Sequence, residues 1–155
     1  MAAGVGALLI AFISLVSLLN IILGALGGLV GVEDLTFQLI LGYVFAPVAF
    51  IIGVPWAEAV DGGNFLGQKL ILNEFVAFAE FGPRTDEFSD KAVAVITFAL
   101  CGFANFGSFA ILLGALGQLA PRQRALVASL GLRAILAGTL ANLLNAAVAG
   151  IMVSL

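Results

Sequence analysis

The chain has 155 residues, of which 63% are hydrophobic and 10% charged, against roughly half apolar and a quarter charged for a soluble domain. A water-soluble core of this size cannot hide so much apolar surface, so the excess needs lipid or partner chains to cover it. The absence of His and the single Cys, Cys101, exclude His-based zinc sites, Ser-His-Asp and Cys-His nucleophile systems and an internal disulfide, and a net charge of -3 without a dense basic cluster speaks against a nucleic-acid surface.

Residues 1–32 carry no charge. About 20 apolar residues cross the roughly 30 Å hydrocarbon core, so this stretch predicts a transmembrane helix. It lacks the basic n-region and small-residue cleavage site of a signal peptide. Glu33 and Asp34 end it, and Gly24, Gly27, Gly28 and Gly31 form two overlapping GxxxG spacings near its end. Such spacings suit either close helix contact or a kink.

Residues 35–57 are also charge-free and long enough to span. Pro47 and Pro55 each remove an amide donor, however, and together with Gly42 and Gly53 they divide the run into shorter pieces. Tyr43 and Trp56, the only Tyr and Trp in the chain, favour the headgroup level. The pattern predicts a helix lying partly in the interface, with a kinked spanning helix as the alternative.

Residues 62–82 hold two apolar arms, Phe65 to Leu72 and Phe75 to Phe81, joined by Asn73 and Glu74. Lys69 and Glu74 make one continuous span costly, because a charge at the bilayer centre costs about 2.5–3.5 kcal/mol even on the lenient insertion scale. The prediction is a re-entrant helix-turn-helix with Asn73 and Glu74 at its tip. Non-helical backbone at membrane depth is tolerated only where it is buried in protein or lines a watery cavity, which makes the tip a functional-site candidate. Glu74 reads equally well as a half-buried structural acid paired with Lys69 or with a helix terminus.

The run between Lys91 and Arg122 contains no charge, and Gly102, Asn105, Gly107 and Ser108 fall within seven residues of one another in its middle. Glycines weaken a helix, and Asn and Ser side chains compete for its backbone groups. The spacing predicts a helix over 91–120 that is broken around Phe103 to Ser108. Transporters place substrate and ion sites at such breaks; an intact helix whose small residues merely pack is the alternative. The last span, 123–155, follows Pro121. Its residues Thr139, Asn142 and Asn145 recur every three positions, a stripe that must face protein and reads as structural glue ahead of ligand contact.

Sorted by side, Glu33, Asp34, Glu58, Asp61, Glu80, Asp86, Glu87 and Asp90 fall opposite Arg122 and Arg124. Basic residues mark the cytoplasm. The N-terminus and the 120–125 loop are therefore expected inside and the hairpin is expected to enter from outside, although Arg84 and Lys91 lie on the proposed outer side.

Two motifs stand out: Leu72-Asn73-Glu74-Phe75-Val76-Ala77-Phe78 at the hairpin tip and Cys101-Gly102-Phe103-Ala104-Asn105-Phe106-Gly107-Ser108 at the break. With Leu41-Gly42-Tyr43-Val44-Phe45-Ala46-Pro47, Gly53-Val54-Pro55-Trp56, Gly67-Gln68-Lys69 and Ala137-Gly138-Thr139-Leu140-Ala141-Asn142, in that order along nearly the whole chain, the sequence resembles the C-terminal half of concentrative nucleoside transporters. Phe78 stands where Tyr is common in that family, and Gly107 where Ser is common.

The resemblance implies an all-α integral membrane fold, one half of an inverted-repeat transporter that assembles as a homotrimer in the plasma or inner membrane. It implies that Glu74, Asn105 and Ser108 contact the ribose of a nucleoside and that Phe103 packs near the base. A sugar diol offers two donors to an ionised carboxylate, and an amide and a hydroxyl complete the set. It further implies that a coupling cation, sodium or proton, binds mainly outside this chain and that the missing N-terminal half is the obligatory partner. No other cofactor and no resident metal is expected. A small membrane subunit or channel-like oligomer is the alternative; an enzyme is not expected, because no partner base or phosphate-cradling loop accompanies Glu74.

Overall fold

The computed structural model describes residues 2–32 and 34–155; Glu33, expected to end the first span with Asp34, lies outside them. Every regular element among the described residues is helical: α1 (Ala2–Val30), α2 (Phe37–Ile51), α3 (Ala59–Ile71), α4 (Glu74–Phe81), α5 (Asp90–Leu100), α6 (Phe106–Leu119) and α7 (Arg124–Val153), with short 3-10 turns at Trp56–Glu58, Gly82–Glu87 and Pro121–Gln123.

The end of α1 is set by a left-handed residue. Gly31 has φ +74, and the Val32 amide donates back to the Gly27 carbonyl at 2.9 Å, the closing bond of a Schellman motif. A Cβ on Gly27 would meet the Val32 carbonyl oxygen at 2.5 Å and Leu35 Cβ at 2.7 Å, whereas Gly24 and Gly28 have nothing within 4 Å. The chain reversal thus uses Gly27 and Gly31, and the other two glycines stay on an open face. Asn20, in the interior of α1, then fixes the next helix: its Oδ1 accepts from the Phe37 amide at 2.8 Å and its Nδ2 donates to Gln38 Oε1 at 2.9 Å, while Thr36 caps α2 by accepting from the Leu39 amide.

The expected division of 35–57 at Gly42 and Pro47 does not occur, since α2 runs through both. The reason lies in its partner. A Cβ on Gly63 of α3 would stand 2.6 Å from both the Gly42 carbonyl oxygen and the Ala46 amide nitrogen, and one on Gly67 would stand 2.8 Å from Leu41 Cβ. The small residues let two helix backbones touch, and that contact holds α2 together past the proline, which is exposed on the other side. The run is divided where Gly53, with φ +112, and Pro55, directly before the Trp56–Glu58 turn, stand.

The core sits between α2, α3, α4, α5 and α7, with Phe65, Phe81, Ile96 and Leu100 almost wholly buried. The rings of Phe65, Phe81 and Phe88 stack within 5.1–5.9 Å of one another. At one end of this core, Arg84 bridges Asp61 at 3.0 Å and Glu87 at 2.8 Å, and Glu58 accepts from the Ser89 amide and hydroxyl. The hydrogen bond to Glu87, then that to Asp61, raises the affinity of the Arg84 guanidinium for its proton.

Glu80 lies in α4, within the expected second arm, and is bonded to side chains of α3. Arg133 interrupts the last apolar run and is exposed on α7. Pro121–Val153 is, among the described residues, the one helix long and apolar enough to cross a membrane by length and composition. The 20 residues after Arg133, 134–153, match the hydrocarbon thickness.

Candidate functional site

The site starts from two helix N-termini. Asn73 is extended (φ -169, ψ 170) and caps α4, its Oδ1 accepting from the Val76 amide. Glu74 follows as the first residue of α4, where an anion is favoured by the unpaired amides of a helix start. Asn105 is extended in the same way and caps α6, its Oδ1 accepting from the Ser108 amide at 2.6 Å.

Between α5 and α6 the helix is interrupted from Cys101 to Asn105. A broken helix leaves carbonyls unpaired, and α7 satisfies one of them: Asn142 Nδ2 donates to the Ala99 carbonyl. A Cβ on Gly102 would fall 2.7 Å from Asn142 Cγ, so only glycine lets the amide reach past. The polar stripe of α7 therefore has three different fates. Asn142 bonds across helices, the Thr139 hydroxyl is buried without a hydrogen-bond partner among the described residues, and Asn145 is exposed.

The hairpin tip seats on the first turn of α6, where a Cβ on Gly107 would meet the Leu72 carbonyl oxygen at 2.6 Å. That close approach brings the two capped helix starts together. Asn105 Nδ2 donates to Glu74 Oε2 at 2.8 Å and to the Phe103 carbonyl at 3.3 Å, and Asn105 is 1% exposed. Phe103 is 74% exposed. Phe103, Asn105 and Ser108 line one cleft of about 190 Å³ together with Ala134 and Ile135 of α7.

All four residues singled out in the sequence thus gather around one place, Glu74 by its bond to Asn105 and the other three by lining the cleft. Among the described residues, Glu74 Oε1 and Ser108 Oγ make no hydrogen bond. An acceptor oxygen, a hydroxyl and an exposed ring face are left for a ligand, a set that suits a hydroxylated ring with an aromatic substituent. Glu74 forms no ion pair with Lys69; the lysine is 3% exposed and lies beyond 4 Å of every carboxylate oxygen among the described residues. No group of three or more His, Cys, Asp or Glu side chains gathers among those residues.

Sequence reasoning missed a second polar cluster in the hairpin. Gln68 donates to Glu80 Oε2 at 2.7 Å and to Asn64 Oδ1 at 2.9 Å, and Asn64 donates to Glu80 Oε1 at 3.2 Å. The available signal was the four-residue spacing of Asn64 and Gln68, which puts both amides on one face of α3.

The family described as Na+ dependent nucleoside transporter C-terminus matches residues 1–150. The chain is 58% identical over 152 residues to YutK of Bacillus subtilis (strain 168), an uncharacterized transporter, covering 98% of this chain and 38% of that protein. It is 44% identical over 160 residues to the nucleoside permease NupC of Helicobacter pylori, covering 100% of this chain and 38% of that protein. Among solved structures, CNTnw in an inward-facing substrate-bound state is similar with a TM-score of 0.91 and 49% identity, over 96% of this chain and 37% of that one. The chain thus spans 37–38% of the length of these relatives.

Proposed function

Because this chain belongs to the concentrative nucleoside transporter family, whose C-terminal half it carries, we propose that it supplies the ribose-binding half of a cation-coupled nucleoside uptake system. The chain is an integral membrane protein of helical transporter fold. In this reading α3 and α4 form a re-entrant hairpin entering from outside: 13 and 8 residues reach about 20 and 12 Å at 1.5 Å per residue, short of the roughly 30 Å core. The N-terminus faces the cytoplasm, α1 contributes to a homotrimer, and the remaining part of the transporter holds most of the coupling-cation site, for sodium or for a proton.

One observation supports the reading above the others: the Asn105–Glu74 bond unites the hairpin tip with the helix break and leaves one carboxylate oxygen unspent. The ribose hydroxyls donate to Glu74, the Ser108 hydroxyl and the one lone pair that the Asn105 oxygen keeps beyond its bond to the Ser108 amide complete their bonds, and the base packs against the Phe103 ring. The carboxylate is the strongest of these partners, because a hydrogen bond to a charged group contributes about 1.5–3 kcal/mol.

The test is Glu74→Gln in a full-length relative that carries residues 1–155 as its C-terminal part. The substitution keeps the shape and removes the charge, and a loss of 1.4 kcal/mol is tenfold in affinity, so nucleoside binding should weaken by about tenfold or more. The 2'-deoxy and 3'-deoxy nucleosides should lose less. Equal affinity of parent and variant for all three ligands would refute the assignment.

A further inference from the structure

Six residues beyond Glu74, on the same short helix, stands the second carboxylate of the hairpin. Both oxygens of Glu80 accept hydrogen bonds from side-chain amides of α3, Oε2 from Gln68 at 2.7 Å and Oε1 from Asn64 at 3.2 Å. Those amides are themselves deeply buried, Gln68 at 1% and Asn64 at 6% exposure. A buried amide donor has few alternatives, and losing its partner leaves it unsatisfied.

We propose that Glu80 is a positioning residue for the nucleoside site, clasping the two arms of the hairpin through Gln68 and Asn64 and thereby fixing where Glu74 stands. The proposal rests on the role of Glu74 given above. Helix α4 has eight residues, too few to be stable by itself, so its direction depends on what grips it. On one side it is anchored by Ala77 and Phe81, which are buried, with the Phe81 ring 5.1 Å from that of Phe65. Toward α1 it borders a cavity of about 340 Å³ that Ile13, Val16, Phe75, Val76 and Ala79 line together with polar groups that include Gln68 and Glu80. The amide–carboxylate clasp is thus the polar fixture of α4 between its base and its tip.

A carboxylate suits the place because it offers acceptors only, on two oxygens, to donors arriving from two residues one helical turn apart. Leucine of similar bulk would offer none. Glutamine would still accept from Gln68, but its own NH₂ would face the Asn64 amide, and reversing that amide to accept would turn its nitrogen onto the Gln68 donor that it now serves, so one of the three contacts is lost however the amides are set.

The experiment uses the same full-length carrier and reads nucleoside uptake kinetics together with hydrogen exchange over residues 74–81. Glu80→Leu should speed exchange in α4 and raise KM for nucleoside about fivefold or more while Vmax stays within about twofold, the signature of lost binding without lost turnover. Glu80→Gln, which keeps part of the clasp, should fall between the parent and Glu80→Leu in both readouts. In a Glu74→Gln background, Glu80→Leu should add nothing further to KM, because residues acting through one another are non-additive. If Glu80→Leu does not reach the membrane, Gln68→Leu removes the principal donor from the other arm and carries the same expectations. Unchanged exchange would overturn the clasp. Faster exchange with unchanged KM, or a KM effect undiminished by Glu74→Gln, would overturn the positioning role. If Glu74→Gln alone leaves affinity intact, the ribose assignment fails, and the exchange data still decide whether the clasp exists.

Discussion

Asn105 performs three tasks with one amide. Its oxygen caps α6 through the Ser108 amide, and its nitrogen bonds both Glu74 and the Phe103 carbonyl. Two substitutions separate these tasks. Asn105→Asp keeps the capping oxygen but replaces the donor facing Glu74 with a like charge, so α6 should keep its start while nucleoside affinity falls by about tenfold or more. Asn105→Ala loses the cap as well and should additionally destabilise the protein by about 1 kcal/mol. Ser108→Ala should cost less affinity than either, because one hydroxyl makes fewer bonds than an amide with three partners. Equilibrium nucleoside binding and thermal unfolding of the purified full-length carrier check all three; equal affinity in Asn105→Asp and the parent would remove Asn105 from the site. The importance of the residue type was legible in the sequence, since Asn beside Gly in an apolar run asks for a local partner. Its near-complete burial was not, because the partner, Glu74, lies 31 residues away.

At the scale of elements, glycines decide the packing, and their sequence neighbourhood does not say which role each plays. Gly63 faces two backbone atoms of α2 at 2.6 Å from an added Cβ, whereas Gly82 has nothing within 4 Å. Backbone cannot rotate out of the way as a side chain can. Gly63→Ala should therefore push α2 from α3 and destabilise the protein by about 1–3 kcal/mol. Gly82→Ala, at an ordinary helical φ of -53, should be neutral or slightly stabilising by about 0.4–1 kcal/mol through the unfolded chain. Thermal unfolding in detergent distinguishes them, and equal midpoints would show that the α2–α3 contact tolerates an added methyl. The same physics explains what the sequence concealed. The turn at Leu72 and Asn73 and the interruption after Leu100 are marked locally, by a capping Asn and by Gly with Asn. The continuity of α2 through Pro47 is not marked, because it depends on how closely α3 approaches. Nor is the setting of Glu80, whose charge suggests a solvated rim while two amides on another helix hold it inside the hairpin.

For the molecule as a whole, the cleft has one wall. Phe103 is 74% exposed, and the lining of the cleft comes from the α5–α6 region and α7, while much of the apolar surface of α7, including Leu132, Leu136, Leu140 and Leu144, is uncovered as well. Transporters built on paired repeats enclose their substrate near the midplane between the two repeats. Residues 1–155 correspond to 38% of the first relative compared and contain one hairpin and one interrupted helix. Glu74 and Ser108 are only half-buried in such an arrangement, and a hydrogen bond that water can reach adds little to binding because the charge interaction is screened. Residues 1–155 by themselves are therefore expected neither to drive gradient-dependent nucleoside uptake nor to bind nucleoside tightly, even when inserted in a bilayer. Co-expression with the complementary N-terminal part of a relative, as a separate chain or in frame, should restore both. Vesicles with a defined sodium or proton gradient and labelled nucleoside decide the point. Uptake by residues 1–155 alone at the rate of the completed protein would mean that copies of this one unit close the cleft on each other, and the partner assigned to the open wall would then be a second copy of the same chain.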